Sequence, residues 1–253
     1  MPRDTLEEEQ AAYVVRELYR RGMIRTWYRD QPRGWRLISG LWSPLYIQLR
    51  PLLSHPDLLR AVGAAMTEMI RREVPEAMRL VGIAMAGIPI AVATGLAGDW
   101  PCAMTRKLEN VRSVEDLEEA LKAYGEHALV EGEMCQGDRL VLIDDLVTQF
   151  DSKLIAAAQV EREAERRDVG GIQCRDVAVV FDREQGASEA AAKHNMRLHA
   201  LIPFRTKGLE WLRGEMSGRE IEAIRDYLRD PTPYQQEDVR QSLAREHAQD
   251  ADA

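Results

Sequence analysis

Apolar residues recur at two distinct periods along the chain. Over residues 6–21 and 57–72 they fall every three or four positions, which predicts amphipathic helices. In the second of these, Leu58, Leu59, Val62, Ala65, Met66, Met69 and Ile70 form one stripe. Between them, residues 35–50 alternate large apolar side chains interrupted by Ser39-Gly40 and Ser43-Pro44, predicting two short strands around a turn. Further on, residues 80–84, 139–143, 177–181 and 198–202 are apolar runs, broken only by Arg139 at the start of one and His199 within another. Such runs fit strands covered on both faces. Residues 101–105 predict another short strand.

Helical patterns fill the spaces between these runs. Gly87-Ile88-Pro89 opens an alanine-rich helix to Leu96, and Ser113-Val114-Glu115-Asp116 is a capping box opening a helix through Tyr124. Helices are also predicted over about 152–167, 189–196, 207–213 and 217–228. Strands alternating with helices at this spacing predict an α/β fold, a parallel sheet with helices on both faces. Beyond Asp230 the prolines and the polar ending predict a weakly ordered tail, residues 230–253.

Composition narrows the function classes. The chain has 253 residues, 45% hydrophobic and 30% charged, an ordinary globular mixture rather than a disordered or collagen-like one. No apolar run approaches the roughly 18 residues that span a bilayer, and the first ten residues hold no stretch suited to a signal peptide. Three scattered cysteines fit a reducing cytoplasm better than a disulfide framework. A net charge of −8 leaves no global basic footprint, so neither nucleic acid nor a membrane is expected as partner. The cations are unevenly chosen, five lysines (107, 122, 153, 193 and 207) against 29 arginines. A lysine in such a chain can mark a place that needs a compact ammonium.

Candidate chemistry gathers at the predicted strand ends, where open α/β sheets bind ligands. The run RLVLIDDLVT ends in Asp144-Asp145, an acid pair suited to ribose hydroxyls or a magnesium ion, or to capping the helix that follows. VAVVFDREQG brings Asp182 and Arg183 to a second strand end, and a guanidinium is a planar fork for a carboxylate or imide, or half of a structural ion pair. VGIAMAGIPIA supplies a glycine-bounded turn before a helix, and Arg106 and Lys107 follow another strand.

Together with LISGLWSPLYIQLRPLLSHPDLL, KAYGEHALVEGEM and NMRLHALIPF, these blocks resemble the orotate phosphoribosyltransferases, within the type I phosphoribosyltransferases, from about residue 13 to 228. The resemblance implies one phosphoribosyltransferase-like domain over residues 1–229, with a small hood from about 1–55 and 200–229. It implies a glycosyltransferase that joins orotate to phosphoribosyl pyrophosphate, releasing pyrophosphate, in pyrimidine nucleotide biosynthesis. Asp144 and Asp145 would hold the ribose hydroxyls, and Thr148 with the loop through Ser152 would take the 5′-phosphate. Arg183 would read the pyrimidine. Arg106, Lys107 and Lys122 would line the pyrophosphate, with Lys107, Lys122 and Asp145 the catalytic candidates. Mg2+ would arrive on the substrate, near Asp144 and Asp145. A homodimer with shared sites is implied, Tyr46, Leu49, Leu52 and Leu53 being either interface contacts or intrachain core.

The chain departs from the family pattern at several phosphate-facing positions. Phe150 stands where the phosphate loop has glycine, and Asp151 adds a negative charge there unless it turns outward to cap the next helix. Ile38 replaces a lysine, Met85 and Ala86 replace the residues usually found before Gly87, and 14 residues separate Lys107 from Lys122 where the family has about two. These changes favour a second reading, a non-catalytic or substrate-altered paralogue that keeps the fold and binds a pyrimidine or a partner protein. The acid pair, Arg183 and the two lysines favour the transferase.

Overall fold

The structure is a computed structural model that describes residues 3–37, 39–124 and 127–251. Along the chain run α1 (Arg3–Arg20), β1 (Ile24–Thr26), β2 (Trp35–Arg36), β3 (Trp42–Ser43) and β4 (Leu45–Ile47). They are followed by α2 (Pro56–Glu73), β5 (Arg79–Gly82), α3 (Gly87–Gly98), β6 (Cys102–Thr105), α4 (Val114–Tyr124) and β7 (Val130–Glu131). The second half holds β8 (Arg139–Val147), α5 (Asp151–Arg166), β9 (Gln173–Asp182), α6 (Ala187–Lys193) and β10 (Arg197–Pro203). Short α7 (Leu209–Trp211), α8 (Gly218–Arg229) and α9 (Glu237–Ala251) close the chain.

Six strands form one sheet in the order β10-β9-β8-β5-β6-β7, parallel except for β7 against β6. The apolar runs at 80–84, 139–143 and 177–181 supply its central strands β5, β8 and β9, whose alternate residues feed two cores, while the run at 198–202 is the edge strand β10. Leu80, Val141, Ile143, Ala178 and Val180 face the core shared with α1, α2 and α3. Val81, Leu140, Leu142, Val177 and Val179 face the one shared with α5 and α6. Strands buried on both sides need no polar alternation, which is why their sequence lacks it.

The first core continues into a lobe built from α1, β1, β4 and α8, where Trp27 is fully buried. Glu220 of α8 ties this lobe together. It accepts hydrogen bonds from the Thr26 and Tyr19 hydroxyls while completing the capping box of its own helix with Ser217. The helix expected over 207–213 is instead a π-helical turn, Phe204–Gly208, running into α7.

The segment from Pro231, expected to be weakly ordered, packs onto the same lobe in its described part. Tyr234 stacks on Trp42 and meets Tyr227 edge-on, and Gln235 bonds both the N–H and the carbonyl of Trp42. Leu243 is buried, and its carbonyl accepts from the Trp27 indole. Composition predicted looseness because proline and polar residues dominate; one aromatic and one aliphatic anchor, with the Gln235 amide, outweigh them.

Leu49 and Leu52 belong to the intrachain core, and Tyr46 stacks on Trp35 with ring centroids 6.0 Å apart. Of the four residues named as interface or core, Leu53 alone is strongly exposed, at 62%. No helix among the described residues is long and apolar enough to cross a membrane.

Candidate functional site

The parallel register of the sheet collects the strand-end residues. Val147 at the end of β8 pairs with Asp182 at the end of β9, and the Arg183 N–H donates to the Val147 carbonyl at 3.2 Å. Asp144, Asp145, Thr148 and Arg183 therefore share the carboxyl edge of two adjacent strands. The N-terminus of α3 is pressed against the same edge. A Cβ on Gly87 would lie 2.1 Å from the Ile143 carbonyl oxygen and 3.0 Å from Asp144 Cα, so only glycine lets this turn sit there.

The two acids have different surroundings. Asp144 is buried; its Oδ1 accepts the Asp145 N–H at 2.9 Å and its Oδ2 accepts from Lys153 Nζ at 2.9 Å. Lys153 projects from the first turn of α5 and also donates to the Leu146 carbonyl at 2.8 Å and to Ser152 Oγ at 3.2 Å. Its ammonium is 3% exposed, a buried cation with all three donors engaged. Among the described residues, Asp145 has no such cation on its carboxylate. Burial, reinforced by the negative charge of Asp144, pushes its carboxyl up to about 7, with Lys153 pulling weakly the other way.

Thr148, Gln149 and Phe150 form the turn from β8 into α5. Phe150 occupies the cap position, and its carbonyl accepts from the Lys153 and Leu154 N–H groups at 3.0 and 3.2 Å. The N–H groups of Gln149, Phe150, Asp151 and Ser152 meet no acceptor among the described residues. They form the positive end of a 16-residue helix beside the acid pair, the arrangement that suits a phosphate.

Arg183 is the other unbalanced group. The residue is 8% exposed, its guanidinium 6.0 Å from the centre of the Tyr227 ring, and its Nε is buried with no acceptor among the described residues. Burial lowers its pKa, opposed by Tyr227. Arg205, just past the end of β10, also has a buried Nε without an acceptor. A guanidinium taken out of water without a carboxylate is unfavourable, and a planar anionic ligand would relieve it.

This edge can be compared with known proteins. The orotate phosphoribosyltransferases of Pyrococcus furiosus and Methanocaldococcus jannaschii are each 31% identical to the chain over 166 residues. The match covers 66% of this chain, and 81% and 82% of those relatives. The chain belongs to the orotate phosphoribosyltransferase family. Among solved structures, the orotate phosphoribosyltransferase of Aeropyrum pernix superposes with a TM-score of 0.59 at 23% identity, over 81% of this chain and 99% of that one. The Leishmania donovani UMP synthase gives 0.66 at 24% identity, over 86% of this chain and 42% of that one. These two share the fold. No protein-family model matches the chain.

As an orotate phosphoribosyltransferase relative, the chain handles its altered positions in ways the sequence did not disclose. Phe150 does not fill the phosphate turn: its side chain is 2% exposed and packs in the core beneath the sheet with Val147 and Ala157. Asp151 is exposed in the first turn of α5, where its charge meets the positive helix end. Ala86 is half-buried just before α3, next to an exposed Met85. Ile38 lies outside the described residues.

The pyrophosphate side is rebuilt. Arg106 leaves β6 with its N–H on the Leu129 carbonyl, its own carbonyl held by Gln159 and its guanidinium 3.5 Å from Glu131. The helix expected from the capping box is present as α4, opened by the reciprocal bonds of Ser113 and Asp116. α4 is pinned to α5 by a Glu118–Arg162 ion pair of 2.6 Å. Lys107 is exposed after β6 and Lys122 is exposed in the last turn of α4. Among the described residues, neither forms an ion pair and neither contacts the acid pair. The structure thus unites Asp144, Asp145, Thr148, Ser152 and Arg183, and leaves Lys107 and Lys122 apart.

Lys153 was missed in the sequence. It was one of five rare lysines, nine residues after Asp144, and that rarity was its only signal. Its presence also answers whether the acid pair fits a divalent ion. Asp144 already has an ammonium on one oxygen and an amide on the other, and Asp145 favours its proton. No group of three or more His, Cys, Asp or Glu suited to a metal occurs among the described residues. A hard cation needs several free oxygen ligands, and the pair does not fit one held by the protein.

Proposed function

We propose that the chain transfers the phosphoribosyl group of phosphoribosyl pyrophosphate to orotate, giving orotidine monophosphate for pyrimidine nucleotide synthesis. The observation that carries this reading is Arg183: a buried guanidinium beside Tyr227, with its Nε lacking an acceptor among the described residues, on the same sheet edge as the acid pair and the free amides of α5. Orotate offers both a carboxylate and an imide to such a group.

The residues divide the work by position. The amides of residues 149–152, with Thr148 and Ser152, take the 5′-phosphate. Asp145, when ionised, accepts the ribose hydroxyls beside an Asp144 held in place by Lys153. Arg183 orients orotate so that its N1 faces C1′. The bond from C1′ to the diphosphate oxygen breaks with its electron pair on the diphosphate, N1 forms the new bond to C1′, and the proton from N1 leaves on the diphosphate. Arg106, Lys107 and Lys122 receive the departing charge, which requires α4 to bring its end toward the edge. Magnesium enters as part of the diphosphate substrate.

A homodimer in a reducing cytoplasm completes the proposal. α3 carries no charged residue and exposes Val92 and Leu96, at 46% and 82%, and Leu53 is exposed as well. Cys102, Cys135 and Cys174 are free.

One observation favours the second reading: Lys153 already neutralises Asp144, so the edge also suits recognition of a phosphorylated pyrimidine nucleoside without turnover. Calorimetry tests the base site on which both readings rest. Orotate should bind the unaltered protein, and Arg183→Met should weaken it by about tenfold or more, the loss of a charge-assisted pair. Equal affinity in both proteins would remove the base from this site.

A further inference from the structure

The acid pair stands at the carboxyl ends of β8 with a cation of the protein's own. Lys153 Nζ reaches Asp144 Oδ2 at 2.9 Å, the Leu146 carbonyl at 2.8 Å and Ser152 Oγ at 3.2 Å. These three acceptors converge on one point, and a compact ammonium has three donors to meet them. A guanidinium is a flat fork and would not. In a chain that otherwise prefers arginine, the lysine here is matched to the shape of the site.

We propose that Lys153 is a positioning residue that stands in for a divalent cation at the acid pair, so the site binds a phosphorylated ribose without metal. The inference rests on the phosphoribosyl reading of this edge and adds to it how the acids are neutralised. Three features carry it. The ammonium is buried, so its charge acts in a medium that screens little. It occupies one oxygen of Asp144 while the Asp145 N–H occupies the other, leaving that carboxylate fixed and its charge balanced. It also ties the first turn of α5 to the end of β8, so the helix amides are set against the acids before any ligand arrives. The counter-charge and the rigid geometry that a chelated ion would provide are both supplied by one side chain.

The test uses probes that carry no diphosphate, because a diphosphate would bring magnesium with it. Mn2+ binding is followed by electron paramagnetic resonance, and ribose 5-phosphate binding by calorimetry, in EDTA and in 5 mM Mg2+ (roughly a cellular excess). The unaltered protein should show no Mn2+ site below millimolar concentration and equal ribose 5-phosphate affinity in both buffers. Lys153→Gln uncovers two adjacent carboxylates. It should gain Mn2+ affinity by about tenfold or more, and its ribose 5-phosphate affinity should now rise with Mg2+.

A Mn2+ site at the acid pair of the unaltered protein overturns the inference, as does a Mg2+-dependent ribose 5-phosphate affinity in that protein. So does a folded Lys153→Gln protein that matches the parent in both assays. If Lys153→Gln does not fold, the two measurements on the unaltered protein decide alone. Failure of ribose 5-phosphate to bind under any condition would instead refute the phosphoribosyl reading, and the Mn2+ arm would still judge Lys153.

Discussion

Truncating Phe150 to alanine asks what the bulk at the β8–α5 junction is for. The sequence suggested an obstacle, since Phe150 replaces a glycine where a phosphate should approach. The structure turns the ring the other way, into the core with Val147 and Ala157, at 2% exposure. The backbone there has φ −98° and ψ −3°, open to alanine without strain, so the effect of the change is the loss of buried ring. Removing a core phenylalanine costs about 3–5 kcal/mol. For a chain of this size that corresponds to a fall in melting temperature of roughly 6–20 °C. Urea unfolding with and without ribose 5-phosphate is the assay. The midpoint should drop with an unchanged slope, and ribose 5-phosphate affinity measured well below the transition should not improve. A loss under about 1 kcal/mol together with tighter ribose 5-phosphate binding would refute this, because it would mean the ring occupies the phosphate turn.

Three further changes probe the same edge. Asp145 carries a folded-state pKa raised to about 7 above an unfolded value near 3.8, so the folded form binds its proton more tightly. The stability this proton contributes is fully present below the unfolded pKa and is lost as pH rises through about 7. Asp145→Asn should therefore be more stable than the parent at pH 8, by about 2–4 kcal/mol, with the difference shrinking toward pH 4; pH-resolved denaturant titrations that run parallel would contradict it. Arg183→Leu removes a buried guanidinium that lacks a carboxylate, so the unliganded protein should gain about 1–2 kcal/mol while orotate binding disappears. A loss of more than about 2 kcal/mol would show that Arg183 is structural. Gly87→Ala places a methyl against the Ile143 carbonyl, and calorimetric melting should show a loss of about 1–3 kcal/mol with weaker ribose 5-phosphate binding; a neutral result would mean the α3 turn does not brace the acids.

Much of the fold was legible because its central strands are covered on both faces. The runs at 140–143 and 177–181 carry no polar residue to confuse the period, and they lie inside β8 and β9. The capping box at Ser113 announced α4 for a similar reason, since its two hydrogen bonds are local in sequence. The site was legible where it depends on strand ends: Asp144, Thr148 and Arg183 converge because parallel register forces them to. What the sequence hid depends on side-chain direction at a junction. Phe150 enters the core because the turn into α5 rotates it inward, and no spacing rule records that rotation. Lys153 reaches Asp144 across the same turn, over a separation that belongs to neither the helical nor the strand period. The segment after Pro231 misled for a different reason: Tyr234 and Leu243 are too sparse to form a periodic stripe, yet each meets a large partner, Trp42 and Trp27.

The central claim is that this edge carries out phosphoribosyl transfer to orotate. Its most direct test is to incubate purified protein with orotate, phosphoribosyl pyrophosphate and Mg2+ and to separate the products chromatographically. Orotidine monophosphate and pyrophosphate should appear in equal amounts, and Arg183→Met and Asp145→Asn should each reduce the rate by about tenfold or more. If the folded, dimeric protein consumes neither substrate at enzyme concentrations comparable to theirs, the transferase account is wrong and the edge serves recognition alone.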